Sequence, residues 1–262
     1  MDTSRTVRIL LNLGILVGTI GLVLYLMNLN RLSEDTITWG ILILVLGFMA
    51  ISLVFNAWAG RKRKEALQQA AAEMGFSFLP DDKDFNNQIQ ASTSFDLFTK
   101  GRSRKAYNLL RGQRRDAAVV LFDYKYTTGG GRSSHTHHQT AVLFALEQSD
   151  MTQFSLRPRG LFDKVAAKFG QKEIDFETAP EFSKKYLVKG SDEAAIRRIF
   201  NTSVVAFYEG QQGLSTEAST NQLLVYRQGK RVKPEELSAF LENAAQLLAL
   251  MRRPTYDFSY PH

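Results

Sequence analysis

The stretch that decides the architecture runs from Ile37 to Ala59, ITWGILILVLGFMAISLVFNAWA, and Arg61-Lys62-Arg63-Lys64 follow it after one glycine. It contains no charged side chain, and at about 1.5 Å rise per residue it matches a hydrocarbon core about 30 Å thick. A soluble amphipathic helix would carry a polar face, which this stretch lacks. We therefore predict a transmembrane span over residues 37–59.

A second apolar stretch, Ile9–Leu29, precedes the first in the chain and is also free of charge. Arg5 and Arg8 lie before it, as they would in a cleaved signal peptide. Its apolar run is too long for that, and Met27–Arg31 offers no pair of small residues for cleavage. We predict two spans, which make residues 1–60 a transmembrane hairpin.

The basic residues beside the spans predict their orientation. Arg5 and Arg8 precede the first span and four basic residues follow the second, whereas the loop 30–36 has one arginine against two acidic residues. Both termini are therefore expected in the cytoplasm. The chain has no cysteine, which suits a reducing compartment.

The charge of the chain favours partners that are anionic lipids over nucleic acid. The formal net charge is +7, and the first 60 residues are balanced, so the excess belongs to the remainder. Each Lys or Arg near an anionic leaflet contributes roughly 1 kcal/mol. We predict that Arg61, Lys62, Arg63 and Lys64 face lipid, and no nucleic-acid-binding motif is present.

Three glycines in the first span, Gly14, Gly18 and Gly21, lie on nearly one helical face. Small residues let another helix approach closely, so this stripe packs either against the second span or against another copy in a homodimer. Neither span has an ionisable side chain, which disfavours a transporter or channel made by this chain alone.

The rest of the chain predicts a basic linker helix, a domain and a tail. Residues 61–75 form the linker helix, which ends near Gly75, and residues 253–262 form the tail. Residues 76–252 form a cytoplasmic α+β domain with a mainly antiparallel sheet and packed helices. Alternating apolar residues predict its strands at 95–99, 106–111, 117–126, 140–146, 154–156, 173–176, 186–188, 214–219 and 222–228.

Three helices are predicted in the second half of this domain. One covers 161–169, and one begins at an N-cap Ser191 and continues to Phe207. The last begins at Pro234, a residue suited to the first helical turn. Its apolar face consists of Leu237, Phe240, Leu241, Ala244, Leu247, Leu248 and Met251.

A glycine-rich segment, Gly129–His138, holds three of the four histidines. His135 and His137 are two residues apart, so on an extended segment they face the same way and could share a divalent metal, with Asp123 as an oxygen ligand. Such a site would indicate a metal-dependent hydrolase or a metal sensor. The alternative is a solvated loop between two strands, since no cysteine is present and the fourth histidine is His262.

The order of these features resembles bacterial two-pass membrane proteins that carry a cytoplasmic domain of unknown function. Beside the two spans and the basic linker, the resemblance rests on five segments: Leu110-Arg111-Gly112, Leu121-Phe122-Asp123-Tyr124, Gln139-Thr140, Phe154–Pro158 and Pro180-Glu181-Phe182. It implies the same architecture and a bacterial inner membrane, and no activity.

Together these features predict a membrane-tethered interaction or regulatory module that binds a protein partner or anionic lipid. A metal-dependent hydrolase or sensor at the histidine-rich tip is the first alternative. An accessory subunit of a membrane complex is the second. No catalytic residue is assigned, and the only cofactor considered is a divalent metal.

Overall fold

A computed structural model describes residues 34–114, 116–147, 151–160 and 172–252, together with Gly14, Gly18, Gly21, Leu22 and Tyr25. Those five residues are helical. The rest of the predicted span 9–29, the predicted helix 161–169 and the tail 253–262 lie outside the described residues. The chain divides into two units, Met1–Lys62 and Arg63–His262.

The first described helix, α1, runs from Glu34 to Glu73. Within it, Thr38–Glu73 is long and apolar enough to cross a membrane, and the described residues contain no other such helix. Large apolar side chains such as Trp39, Ile43 and Leu53 are exposed along it. The structure therefore shows one candidate membrane helix, and the two-span hairpin stays a prediction.

The end of α1 is a glycine cap, as predicted. Gly75 has φ +70°, and the amide of Phe76 donates to the carbonyl of Ala71 at 2.8 Å while Gly75 N–H donates to Ala72 at 3.1 Å. This is the Schellman arrangement, in which a residue with positive φ ends the helix. The last turns of α1 belong to the second unit, where Leu67 and Ala71 are buried in its core.

A nine-stranded sheet forms the centre of the second unit, with every pair of neighbours antiparallel. The predicted α+β class with a mainly antiparallel sheet is thus confirmed. The strands are β1 Ser77–Leu79, β2 Arg102–Arg114, β3 Ala117–Thr128, β4 His135–Leu146, β5 Phe154–Pro158, β6 Lys172–Ile174, β7 Tyr186–Gly190, β8 Leu214–Ser219 and β9 Gln222–Arg227. Their order in the sheet is β1-β2-β3-β4-β9-β8-β5-β7-β6.

Helices cover both faces of the sheet. The helices that follow α1 are α2 Lys83–Ala91, α3 Asp96–Thr99, α4 Pro180–Lys185, α5 Glu193–Ile199, α6 Thr202–Glu209 and α7 Leu237–Met251. The larger core contains residues from the end of α1 and from α7, and it includes Leu121 and Val142 of the central strands. The smaller core, on the other face, contains residues of α2 and α3 with Phe122 and Tyr124.

Some predicted elements differ from the structure in type or extent. β2 begins at Arg102 instead of residue 106, and β4 begins at His135 instead of residue 140. Residues 96–99 form the short helix α3 instead of a strand, because Leu97 and Phe98 both pack inward, which alternation does not allow. The helix predicted from Ser191 to Phe207 is two helices. Asp192 caps α5 at its start, and Asn201 interrupts the run by accepting hydrogen bonds from the first amides of α6.

The last helix agrees with its predicted apolar face. A 3₁₀ turn, Pro234–Glu236, leads into α7, and every residue of the predicted stripe is buried. The stripe joins the larger core. Its burial follows from the i, i+3 and i+4 spacing, which turns all these side chains toward the sheet.

Gly112 sets how closely the end of α1 approaches β2. A Cβ at this position would overlap the ring of Phe76, which follows the cap of α1. We expect Gly112→Ala to lower the free energy of unfolding by about 1–3 kcal/mol through overpacking. Gly130→Ala is the matched control, because nothing lies within 4 Å of its added methyl group. Equal thermal stability of the two variants in detergent would contradict the close approach.

Candidate functional site

The first residue of the second unit, Arg63, is fastened to the centre of the sheet. Its guanidinium donates to both carboxylate oxygens of Asp123 on β3, with Nε–Oδ2 at 2.9 Å and Nη2–Oδ1 at 2.8 Å. The Arg63 side chain is 16% exposed and that of Asp123 is 1% exposed. A bidentate pair of this kind has a defined geometry as well as charge complementarity.

Residues of the neighbouring strands β2 and β4 also form hydrogen bonds with the Arg63–Asp123 pair. Asp123 also accepts from Thr140 Oγ1 of β4 at 2.8 Å and from Asn108 Nδ2 of β2 at 3.2 Å. Arg63 Nη2 donates to the carbonyl of Val232 at 3.0 Å, and the Val232 amide donates to Thr140 Oγ1 at 3.0 Å. We call Arg63, Asp123, Asn108, Thr140 and Val232 the Arg63 anchor. It connects α1, three strands and the segment before α7.

The local conformation of β2 brings Asn108 into the Arg63 anchor. Asn108 has φ +53° and lies in a register irregularity between Tyr107 and Leu110. Asparagine tolerates this left-handed conformation better than most residues, and such an irregularity redirects a side chain. The backbone N–H of Asn108 donates to the carbonyl of Pro80 at 2.9 Å.

The lipid-facing assignment of the four basic residues is wrong for Arg63. Its guanidinium is engaged by Asp123 inside the second unit and is not free for lipid. Arg61, Lys62 and Lys64 are exposed. Helical geometry explains the difference, because residues in one run of four point to different sides of the helix.

The predicted metal ligands do not come together. In the β3–β4 register, His135 pairs with Thr128 and His137 with Tyr126, while Asp123 pairs with Thr140. Side chains alternate along a strand, so the two histidines lie on one face of the sheet and Asp123 on the other. The described residues contain no group of three acidic, histidine or cysteine side chains that could hold a metal.

The two histidines themselves are neighbours at the tip of the β3–β4 hairpin. Their ring centroids are 4.6 Å apart, and the His137 ring stacks on Tyr126 at 4.8 Å. His137 Nε2 and Thr128 Oγ1 are 2.9 Å apart. Burial, followed by the charges of His135 and Lys100, lowers the pKa of His137. Metal binding by this pair without Asp123 stays a prediction.

The glycine stripe of the first span is described only at its three positions. A Cβ added at Gly14, Gly18 or Gly21 would meet none of the described atoms within 4 Å. The described part of the chain therefore shows no helix packed on the stripe. Packing against a second copy stays a prediction.

A buried carboxylate that the sequence analysis did not identify lies on the opposite face of the sheet from the Arg63 anchor. Glu217 on β8 accepts from the Tyr226 hydroxyl at 2.6 Å, from the Leu97 amide at 3.2 Å and from the amide of Asp96. Burial raises the pKa of Glu217 to about 7, against the lowering effect of Tyr226 and Lys100. In sequence, Ser215, Thr216 and Glu217 are three consecutive polar residues, a pattern that resembles a solvent-facing strand.

The charge of Lys100, the residue just after α3, acts on Glu217. Burial lowers the pKa of Lys100, and the charges of Glu217 and Asp96 oppose that shift. The Glu217 carboxylate thus links the first amides of α3 to β8. The Glu217 oxygens accept hydrogen bonds from the Tyr226 hydroxyl and from the amides of Asp96 and Leu97, so the carboxylate is bonded within the fold.

Comparisons with known proteins bear on the fold of this chain. No protein-family model matches it, and a search of curated proteins finds no relative. Its structure is similar to the crystal structure of the mycobacterial trehalose monomycolate transport factor A, TtfA. The TM-score is 0.55 with 16% sequence identity, over 74% of this chain and 98% of that chain. At this identity the similarity shows a shared fold.

Proposed function

We propose that this chain is a membrane-anchored accessory subunit that acts by binding within a membrane assembly. The Arg63 anchor carries the proposal, since it fixes a residue of α1 just after the apolar stretch 37–59 to the centre of a folded domain. Arg63 lies only four residues after Ala59, so the domain is tethered closely to the end of the predicted span. The shared fold with a protein described as a transport factor supports the same role.

The proposed topology has two spans, over residues 9–29 and 37–59, with both termini in the cytoplasm. The supporting observation is the distribution of basic residues around the apolar stretches. The domain then occupies the cytoplasmic side of a bacterial inner membrane. There it would contact a protein partner or anionic lipid.

Binding is favoured over catalysis because the two best-placed carboxylates are engaged in internal hydrogen bonds. Asp123 accepts from Arg63, Asn108 and Thr140. Glu217 accepts from a tyrosine hydroxyl and two backbone amides. A general base must be able to reach a substrate proton, which these bonds prevent.

Single-cysteine labelling in intact cells tests the topology, because the chain has no native cysteine. We expect Ser33→Cys, in the loop between the spans, to react with a membrane-impermeant maleimide before lysis. Gln88→Cys, on the exposed side of α2, should react only after lysis. Labelling of both sites in intact cells, or of neither after lysis, would contradict the topology.

The size of the detergent-solubilised particle tests the assembly. The tagged full chain from its native host should migrate in a particle larger than the purified recombinant chain in the same detergent. If the glycine stripe forms the contact, Gly14→Leu should reduce that size. Gly47→Leu is the control, as it also lies in an apolar helix with open space around it. Migration of the native-host chain at the size of the purified chain would refute the accessory role.

A further inference from the structure

Four basic residues lie close to one another at one end of the sheet, beside the Arg63 anchor. Lys125 of β3 and His138 of β4 are register partners, two positions beyond Asp123 and Thr140. Lys230 and Arg231 follow β9 and are exposed, and the carbonyl of Lys230 accepts from the Thr140 amide at 3.1 Å. We call Lys125, His138, Lys230 and Arg231 the basic corner.

The basic corner is assembled around Tyr107. The Tyr107 hydroxyl lies 3.2 Å from His138 Nδ1 and also contacts the Arg231 side chain. On β2, Lys105 is the register partner of Lys125, and it forms an ion pair with Asp81 at 2.6 Å. Within the described part of the chain, no carboxylate forms an ion pair with Lys125 or Arg231.

This arrangement leaves a surplus of positive charge at one place. Like charges directly opposite each other on neighbouring strands destabilise a sheet, and Lys125 lies directly opposite Lys105 in the β2–β3 register. The charge of Glu235 acts on Arg63, which Asp123 already pairs. An anion bound at the corner would relieve the repulsion.

The corner lies where the chain enters the second unit. Phe76, just after α1, packs on Gly112, whereas Arg63, earlier in α1, is hydrogen-bonded to Asp123. From Phe76 back to Arg63, the chain therefore runs along the sheet in the direction of Lys125. Lys125 is two residues beyond Asp123, about 7 Å along the strand. In the sequence, Arg63 follows Ala59, the last residue of the predicted span, by four positions.

We infer that the basic corner binds the headgroups of anionic phospholipids in the membrane that holds the chain. The inference rests on the proposed membrane placement and specifies the surface that meets the bilayer. Each cation near an anionic surface adds roughly 1 kcal/mol, or about fivefold in the affinity for anionic lipid. The corner takes over the role expected for Arg63, whose guanidinium the domain uses internally.

The test places a fluorophore beside the corner of the full chain in lipid nanodiscs. Thr136→Cys is exposed on β4 and pairs with Thr127, one register step beyond Lys125 on the same face. Headgroup spin-labelled lipid should quench this fluorophore about twice as strongly in phosphatidylglycerol discs as in phosphatidylcholine discs. A fluorophore on Gln113→Cys, near the other end of β2, should show no such difference.

Charge reversal identifies the residues responsible. Lys125→Glu with Arg231→Glu should abolish the dependence on phosphatidylglycerol at position 136. Lys189→Glu with Arg198→Glu changes the net charge by the same amount, away from the basic corner. This control should preserve the phosphatidylglycerol dependence of quenching at position 136. Circular dichroism of each variant verifies the fold.

Two outcomes overturn the inference. One is equal quenching at position 136 in phosphatidylglycerol and phosphatidylcholine discs, which is the result expected if the basic corner binds a protein instead of lipid. The other is dependence on phosphatidylglycerol that survives the reversal at Lys125 and Arg231. A label on Ser52→Cys, quenched by acyl-chain spin labels, separates either outcome from failure of the membrane placement itself.

Discussion

Replacing Asp123 with alanine will lower the free energy of unfolding by about 3–5 kcal/mol. The change leaves the Arg63 guanidinium largely buried without its carboxylate, and it removes an acceptor from Thr140 and Asn108. An uncompensated buried charge is among the costliest single defects in a protein interior. Thermal and chemical unfolding of the full chain in detergent, followed by circular dichroism, measures the loss.

Two further variants separate the pair from its surroundings. The double variant Arg63→Met with Asp123→Leu removes both charges, so we expect it to be more stable than Asp123→Ala alone. Glu193→Ala removes an exposed partner of Arg197 and should cost less than about 1 kcal/mol. If Asp123→Ala were no more harmful than Glu193→Ala, the Arg63 anchor would not be a stabilising contact.

The second large effect is a pH dependence of stability that comes from Glu217. Its pKa is raised from 4.5 to about 7 in the folded chain. Between these values the folded state holds a proton that the unfolded state has lost, so stability falls as pH rises. The contribution is complete below the unfolded pKa and lost as pH passes the folded pKa, a change of roughly 3 kcal/mol.

Comparison of the wild-type chain with Glu217→Gln isolates this effect. Tm of the wild type should fall between pH 5 and pH 8 relative to that of the variant, whose amide does not titrate. His137, with its lowered pKa, acts in the opposite direction in the acidic part of the range and is present in both chains. Glu193→Gln, at an exposed site, should follow the wild type. Parallel pH profiles of wild type and Glu217→Gln would show that Glu217 does not titrate in this range.

Local sequence patterns predicted an element correctly where one of its faces carries a regular apolar stripe. The stripe of α7 and the β-type run of β3 appear in the structure as predicted, and Gly75 ends α1. β4 is also present, but it begins at His135, five residues before its predicted start. Elements with competing local signals were harder. The segment after Phe95 alternates like a strand, yet inward packing of both Leu97 and Phe98 makes it helical.

The candidate sites depended on contacts that spacing along the chain does not encode. His135, His137 and Asp123 appeared compatible because each has metal-binding chemistry, but the strand register separates them onto two faces. Arg63 appeared equivalent to its three basic neighbours until the fold placed a carboxylate against it, 60 residues away in sequence. Glu217 looked solvent-facing because its cover, α3, comes from a distant part of the chain.

By itself the sequence determined the apolar stretches, the net positive charge, the absence of cysteine and the α+β class. These properties follow from composition and from the short-range periodicity of apolar residues, which is set directly by burial in lipid or in a protein core. Only the tertiary structure decided which charges are paired inside and which remain outside. That choice depends on strand register and on packing between elements far apart in the chain, where removing a charge from water requires a specific partner.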